Sequence, residues 1–422
     1  MVELNFQTGD YVRLRLALKE EEGTIIESLD SSIVLLKLKS GYNVGIPREN
    51  ILAGRVLRKY NEEKKDYDIP QKKELPAIGL IITGGTIASK ANQATGGVSP
   101  IADADEFLSF YPELLEIVRI KKLEIPFKIF SENMNSEGWI KMAETVKGML
   151  EDTEIKGIVI SHGTDTLHYT SAALSFFLRN LNKPVVLTYS QRSIDRASSD
   201  ASLNLQCAAR MALSDCAEVM LVGHASSNDD YCFAMRGTKV RKMHSSTRDA
   251  FKPINAKPIA KVYPDKVEFI SEYKKAGKEK FEVDTSFTDK VALIKFYPGQ
   301  SSDILDYYAL KYKGIVIEGT GLGHVSVSAD NSWIPSLRKH IKNGLVVCIA
   351  AQTLYGRVDP FVYSTGREML DAGCIFLEDM LAETALVKLG WILGHYGWKK
   401  DVKEKMLENF AGEFNEKLNY EN

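Results

Sequence analysis

Two threonines close two apolar runs in the same way. Leu80-Ile81-Ile82-Thr83 leads into Gly84-Gly85-Thr86, and Ile158-Val159-Ile160-Ser161 leads into His162-Gly163-Thr164-Asp165. An apolar run ended by glycine reads as a buried strand followed by a tight turn. Each threonine then sits just past the carboxyl end of a strand, the edge where open α/β sheets bind ligands. The glycines let backbone N–H groups approach a ligand, because no Cβ stands in the way. A hydroxyl beside such donors suits acyl transfer: it attacks a carbonyl carbon while the donors hold the oxyanion. Taken singly, a Gly-Gly turn also fits a nucleotide loop or a plain structural turn. Two strand ends that each present a threonine can face one small molecule between them.

A third stretch, Arg236 to Phe251, carries Lys239, Arg241 and Lys242 ahead of His244-Ser245-Ser246-Thr247-Arg248-Asp249-Ala250. A threonine hydroxyl is almost wholly protonated near neutral pH and needs a base close by. A lysine serves only in its neutral form, which burial favours and a neighbouring carboxylate opposes.

The elements that must position these residues follow from the rest of the chain. Its 422 residues allow two or three domains, and 44% hydrophobic with 26% charged residues is ordinary globular composition. A net charge of -2 leaves no global basic field for nucleic acid, so any RNA contact is local or made by a partner. Five cysteines, odd in number and without a C-x-x-C pair, read as reduced buried thiols of a cytoplasmic protein. No secretory signal and no apolar run of about 20 residues is visible.

Residues 1–60 carry short β-branched runs punctuated by glycine, which predict a small all-β barrel. Residues 61–76 are charged, bounded by prolines and read as a solvated linker. From Ile78 strand-like and helix-like runs alternate, which predicts a mostly parallel sheet with helices on both faces. Expected strands are 78–83, 127–130, 157–161, 184–188 and 218–222; expected helices are 104–118, 138–150, 169–180 and 201–213. A larger α/β domain over 77–285 is expected to precede a smaller one over 286–422, whose helical tail runs from Asp401 to Leu418.

Taken together, TGGTIAS at 83–89, HGTDT at 162–166 and the Lys242-to-Phe251 segment resemble the bacterial-type L-asparaginase/glutaminase family. Ser131-Glu132-Asn133-Met134-Asn135, Ile317-to-His324 and Asp379-Met380-Leu381-Ala382-Glu383-Thr384-Ala385 match as well, so the resemblance spans about Ile78 to His395. Several motifs in order are far more specific than one glycine turn. The resemblance implies an asparaginase-like two-domain core. With the N-terminal barrel added, the chain is similar to the branch of that family that serves archaeal tRNA-dependent amidotransferases as a glutaminase. That branch implies an amidotransferase partner subunit, which uses ATP and Mg to activate Glu-tRNA(Gln) and amidates it with the released ammonia. It also implies tRNA(Gln) bound mainly through the partner, a homodimer within a heterotetramer, and no cofactor in this chain.

The resemblance carries roles onto residues. Thr86 matches the nucleophile. Thr164, Asp165 and Lys242 match the second threonine with its aspartate and lysine. Ser131 and Glu132 match residues holding the two ends of the substrate, Asp165 suits its α-ammonium, and Gly85 offers backbone contact. Two points depart from the family. The loop Ala91-Asn92-Gln93-Ala94-Thr95-Gly96-Gly97-Val98 lacks the tyrosine of plain asparaginases, so the group that activates Thr86 stays open; its glycines suit a lid. Lys239 stands near Lys242 and is the alternative lysine.

Blander readings apply to several residues. His162 reads as a structural hydrogen-bond donor, and no histidine has zinc-helix spacing. Trp139, Trp391, Cys207 and Cys216 read as core. The basic run at 236–242 also suits RNA. The competing functional reading is a free-standing L-asparaginase with an added N-terminal domain; a third is an RNA-binding or scaffold protein without chemistry.

Overall fold

The computed structural model describes residues 6–28, 30–40, 42–60, 71–91, 98–100, 104–194, 196 and 198–418. Near the N-terminus, β1 (Tyr11–Arg15), β2 (Glu20–Ile26), β3 (Ile33–Leu38), β4 (Asn43–Pro47) and β5 (Ala53–Arg58) form an antiparallel sheet in the order β4-β3-β2-β1-β5. Period-2 alternation drives it. Val12 and Leu14 of β1 are fully buried between exposed Arg13 and Arg15. They join Ile25, Val34, Leu36, Ile46 and Ile51 in a single apolar cluster.

Residues 61–70 of the expected linker lie outside the described residues. The rest of it is not a free tether. The Gln71 side-chain carbonyl accepts the Ile120 N–H at 2.7 Å, and Lys72 pairs with Glu116.

The larger α/β unit contains β6 (Ala77–Ile82), a hairpin of β7 (Ser89–Ala91) and β8 (Val98–Pro100), α1 (Ala104–Ser109), β9 (Arg119–Glu124), α2 (Ser136–Leu150), β10 (Ile155–Ser161), α3 (Leu167–Phe177), β11 (Leu178–Arg179), β12 (Val185–Thr188), α4 (Ala201–Ala212) and β13 (Val219–His224). It continues through β14 (Cys232–Arg236), β15 (Val240–Lys242), β16 (Phe251–Pro253), β17 (Ala260–Val262), β18 (Val267–Phe269) and β19 (Glu282–Val283). The main sheet runs β18-β17-β14-β13-β12-β10-β6-β9. Its parallel part is β9 to β13; β14, β17 and β18 add on antiparallel. The sheet therefore has the expected parallel core, extended at one edge by three antiparallel strands.

The apolar runs of β6 and β10 are buried on both faces, as in a covered parallel sheet. Ile81, Ile158 and Ile160 enter one core with α2 and α3 residues. Ile78, Leu80, Ile82 and Val159 enter the other with α4. Residues 127–130 are not a strand. The neighbour of β6 is instead β9, a charged edge strand whose sequence RIKKLE hides its pairing. The helix expected over 104–118 stops at Ser109, and Pro112 opens a separate 3₁₀ turn over Pro112–Glu116.

The smaller unit has β20 (Val291–Lys295), α5 (Ile304–Lys311), β21 (Gly314–Gly319), α6 (Ile334–Lys342), β22 (Val346–Ala351), α7 (Ser364–Asp371), β23 (Ile375–Phe376), α8 (Ala382–Gly394) and α9 (Val402–Leu407). Its four strands are parallel in the order β20-β21-β22-β23. Helix α8 joins the two units. Trp391 stacks on Phe176 of α3 at 5.6 Å, and one continuous core contains residues of α2, α3, α8, β21 and β22. The expected helix to Leu418 ends at Leu407. Beyond it, the Glu413 carboxylate accepts the Phe410 and Ala411 N–H groups and pairs with buried Lys388 at 2.5 Å. Among the described residues no helix is long and apolar enough to cross a membrane.

A chain beginning at Gln71 is expected to fold, because the N-terminal sheet has its own core. Circular dichroism and gel filtration should report a cooperatively unfolding α/β protein. Aggregation of the truncated chain would contradict an independent N-terminal unit.

Candidate functional site

Strands β6 and β10 are parallel neighbours, with Ile82 beside Ser161. From β6 the chain crosses to β9 on one side; β10, β12 and β13 then build on the other. The gap between β6 and β10 is thus the switch point of the parallel sheet, where such folds open a crevice. Thr83 fastens the two strand ends: its hydroxyl donates to the Ser161 carbonyl at 2.8 Å and its N–H does so at 3.2 Å.

Beyond Thr83 the backbone turns through Gly84 (φ 114°) and Gly85 (φ 79°), a region that disfavours any side chain. A Cβ on Gly85 would lie 2.5 Å from both Cα and N of Gly163. The two turns therefore touch through bare backbone. Thr86 and Thr164 are the next residues on each side of that contact. Thr86 is half-buried and opens a 3₁₀ turn anchored by buried Ile87 and Ala88.

The Lys242 ammonium donates to the Thr164 hydroxyl oxygen at 2.8 Å and to the Asp165 carboxylate at 2.6 Å. The lysine side chain is 11% exposed and the aspartate 62%. The Thr164 oxygen accepts from the lysine, which leaves its own proton to donate elsewhere. Ser131 joins the same group: its hydroxyl accepts the Asp165 N–H at 3.1 Å and its carbonyl accepts the Thr166 hydroxyl at 2.6 Å. Glu132, next along the 3₁₀ turn Ser131–Asn133, is exposed and makes no hydrogen bond among the described residues. The structure thus brings Gly85, Thr86, Ser131, Thr164, Asp165 and Lys242 to one place, with Glu132 beside it at the surface. Residues 92–97, most of the expected lid, lie outside the described residues.

Gly163 reads from sequence as a turn glycine, and the structure makes it the partner of Gly85. It occupies, in the second stretch, the place of Gly85 in the first. Behind it, His162 is fully enclosed and its ring is pushed down to about 4 by burial. The neutral ring donates from Nδ1 to the Gly163 carbonyl at 2.7 Å, and its Nε2 accepts the Thr170 hydroxyl at 3.0 Å. Thr170 in turn accepts the Trp139 indole N–H at 3.0 Å. His162 props the glycine turn.

Each cation of the basic run is met by an acid of this chain. Arg236 pairs with Glu218 at 2.7 Å, Lys239 with Asp379 at 2.6 Å and Arg241 with Glu383 at 2.6 Å. The ammonium of the alternative lysine, Lys239, is buried against Asp379 of the smaller unit and is spent there. Two hydroxyls, a cation and a carboxylate at a sheet crevice can attack an amide, move its protons and hold an ammonium group.

Comparison with known proteins gives the same picture over the whole chain. Residues 77–275 match the family described as Asparaginase, N-terminal, and residues 290–406 match the Glutaminase/Asparaginase C-terminal domain. Residues 6–57 match the GatD N-terminal domain. A glutamyl-tRNA(Gln) amidotransferase subunit of Pyrococcus furiosus is 48% identical over 96% of this chain and 94% of its own. Its counterpart in Thermococcus kodakarensis is 49% identical over 96% and 94%. The solved thermostable L-asparaginase from Thermococcus kodakarensis superposes with TM-score 0.71 at 33% identity, over 81% of this chain and all of that one. L-asparaginase I from Vibrio cholerae gives TM-score 0.68 at 26% identity, over 81% of this chain and 99% of that one.

Gly85→Ala should cost about 1–3 kcal/mol in urea unfolding, from the strained φ and the clash with Gly163. An unchanged midpoint would contradict the backbone contact. Burial also holds His168 at about 4. Between pH 6.5 and 4 the unfolded chain therefore binds protons at His162 and His168 that the folded chain refuses. Their contribution is complete above pH 6.5 and is lost as pH falls, by about 2 kcal/mol each at pH 5. Denaturant titrations at pH 7 and 5 should show this loss, and His168→Asn should shrink it.

Proposed function

The chain belongs to the family of glutamyl-tRNA(Gln) amidotransferase subunits that carry the GatD N-terminal domain, and on that premise we propose how it acts as the glutaminase component of that multi-subunit enzyme. It hydrolyses glutamine to glutamate and supplies ammonia for conversion of Glu-tRNA(Gln) to Gln-tRNA(Gln). The Thr86 oxygen attacks the side-chain amide carbon. Thr164 and Lys242 carry protons, and ammonia leaves from the tetrahedral intermediate. Water then releases glutamate from the Thr86 ester. Asp165 and Glu132 receive the α-ammonium of glutamine, Ser131 holds its α-carboxylate end, and the Gly85 backbone lies along the substrate. The observation that carries this reading is Lys242 bonded to both Thr164 and Asp165 beside the Gly85–Gly163 contact.

The partner subunit uses ATP and Mg to activate the glutamyl group and holds tRNA(Gln). This chain needs no cofactor of its own. It forms a homodimer within a cytoplasmic heterotetramer. The N-terminal unit over 6–57 favours this reading over a free-standing L-asparaginase.

The test is amidation of Glu-tRNA(Gln) by the assembled enzyme with ATP and Mg, fed by glutamine or by an ammonium salt. Thr86→Ala, Thr164→Val and Lys242→Met should each lower the glutamine-dependent rate by about a thousandfold and leave the ammonium-dependent rate intact. Loss of both rates would contradict a purely ammonia-supplying role. Steady asparagine hydrolysis by the chain without partner or tRNA would favour the asparaginase reading.

A further inference from the structure

Lys242 ends a weak support. β15 and β16 are three residues each and pair only with one another. A two-stranded ribbon of that length is marginal by itself, so what packs behind it sets its position. Its apolar side, Val240 and Phe251, is seated in the core beside α3 and Tyr189, and its polar side meets the start of α8 and the turn before it. Asp379 takes the Lys239 ammonium at 2.6 Å, in a pair 0% and 1% exposed. Glu383, itself 8% exposed, takes Arg241 at 2.6 Å. The Thr384 hydroxyl donates to the Thr238 carbonyl at 3.0 Å. Three residues of one short segment thus hold three of the four residues that precede Lys242.

The alternation of a strand gives this arrangement its direction. Lys239 and Arg241 reach back to the smaller unit, while Lys242 reaches the other way, to Thr164 and Asp165. Asp379 is itself fixed, accepting the Asn415 N–H and side-chain amide at 2.7 Å each. Glu383 also keeps Arg241 occupied.

We propose that Asp379, Glu383 and Thr384 are positioning residues by which the smaller unit holds Lys242 against Thr164. This rests on the role given to Lys242 above. Rate should therefore fall without a matching loss of substrate affinity, since none of the three touches the substrate site.

The experiment measures glutaminase kcat and KM in the assembled enzyme with Glu-tRNA(Gln) bound. Glu383→Gln should lower kcat about 10- to 100-fold and leave KM within about threefold. Arg241→Gln should do the same, the double variant should be no worse than either, and Glu383→Asp should recover part of the rate. Thr384→Val, which strands no charge, keeps the test open if the charge variants fail to fold; its kcat should fall about threefold or more. Wild-type kcat in Glu383→Gln and Thr384→Val, with Lys242→Met inactive, would overturn the proposal, whatever happens to melting temperature. Full activity in Lys242→Met would instead sink the role of Lys242 itself.

Discussion

The rest of the site depends on one backbone contact. Gly85 and Gly163 meet where β6 and β10 end, at a separation that leaves no room for a Cβ. Everything nearby serves that contact. Thr83 ties the strand ends, His162 supports the Gly163 carbonyl, and Ser131 sits on the outer side of Gly163, where a Cβ would come within 2.8 Å of its hydroxyl. The contact joins the turns that carry the two threonines through backbone alone. Sheet topology marks the same place, because among the parallel strands the connections depart in opposite directions between β6 and β10, the position where such folds bind ligands.

A second constraint comes from charge. Four cations lie within seven residues of the chain, at 236, 239, 241 and 242. Crowded like charges would splay this ribbon, and each is instead met by an acid from a different element. The acids for Lys239 and Arg241 come from the smaller unit, so the ribbon is neutralised by that unit in place. Helix α8 makes this firm, because its apolar side lies in the core shared by both units. The cost of removing one member of a buried pair, about 3–5 kcal/mol, makes these contacts a rigid backing for the site.

Much of the site was legible in the sequence because its chemistry is local. The runs ending in Thr86 and Thr164 are apolar, glycine-closed and repeated, so strand, turn and hydroxyl could be read together. β9 was not legible. An edge strand shows solvent charged residues, and Arg119-to-Glu124 lacks the apolar signature used to find its neighbours. The choice between Lys239 and Lys242 shows a different limit. Lys239 just precedes β15 and Lys242 ends it, so the two face opposite ways, but the sequence does not say which side holds the site. The tertiary partner Asp379 decides it. The tail fails for a related reason: its charged pattern suits a helix, yet Glu413 is drawn into the core by Lys388 and bends the chain around itself.

The ion pairs differ in exposure, and that difference bears on mechanism. Lys239–Asp379 and Lys388–Glu413 are dry and fixed. Lys242–Asp165 has a buried lysine and an aspartate that is 62% exposed. A pair open to water on one side contributes little to stability, about 0–1 kcal/mol, and exchanges partners readily. In the mechanism proposed here, the ammonium of glutamine comes to Asp165 from that open side. The carboxylate is then shared between that ammonium and Lys242, which keeps its bond to Thr164. The fixed pairs behind the ribbon hold Lys242 on its Thr164 side while the open side of Asp165 receives that ammonium.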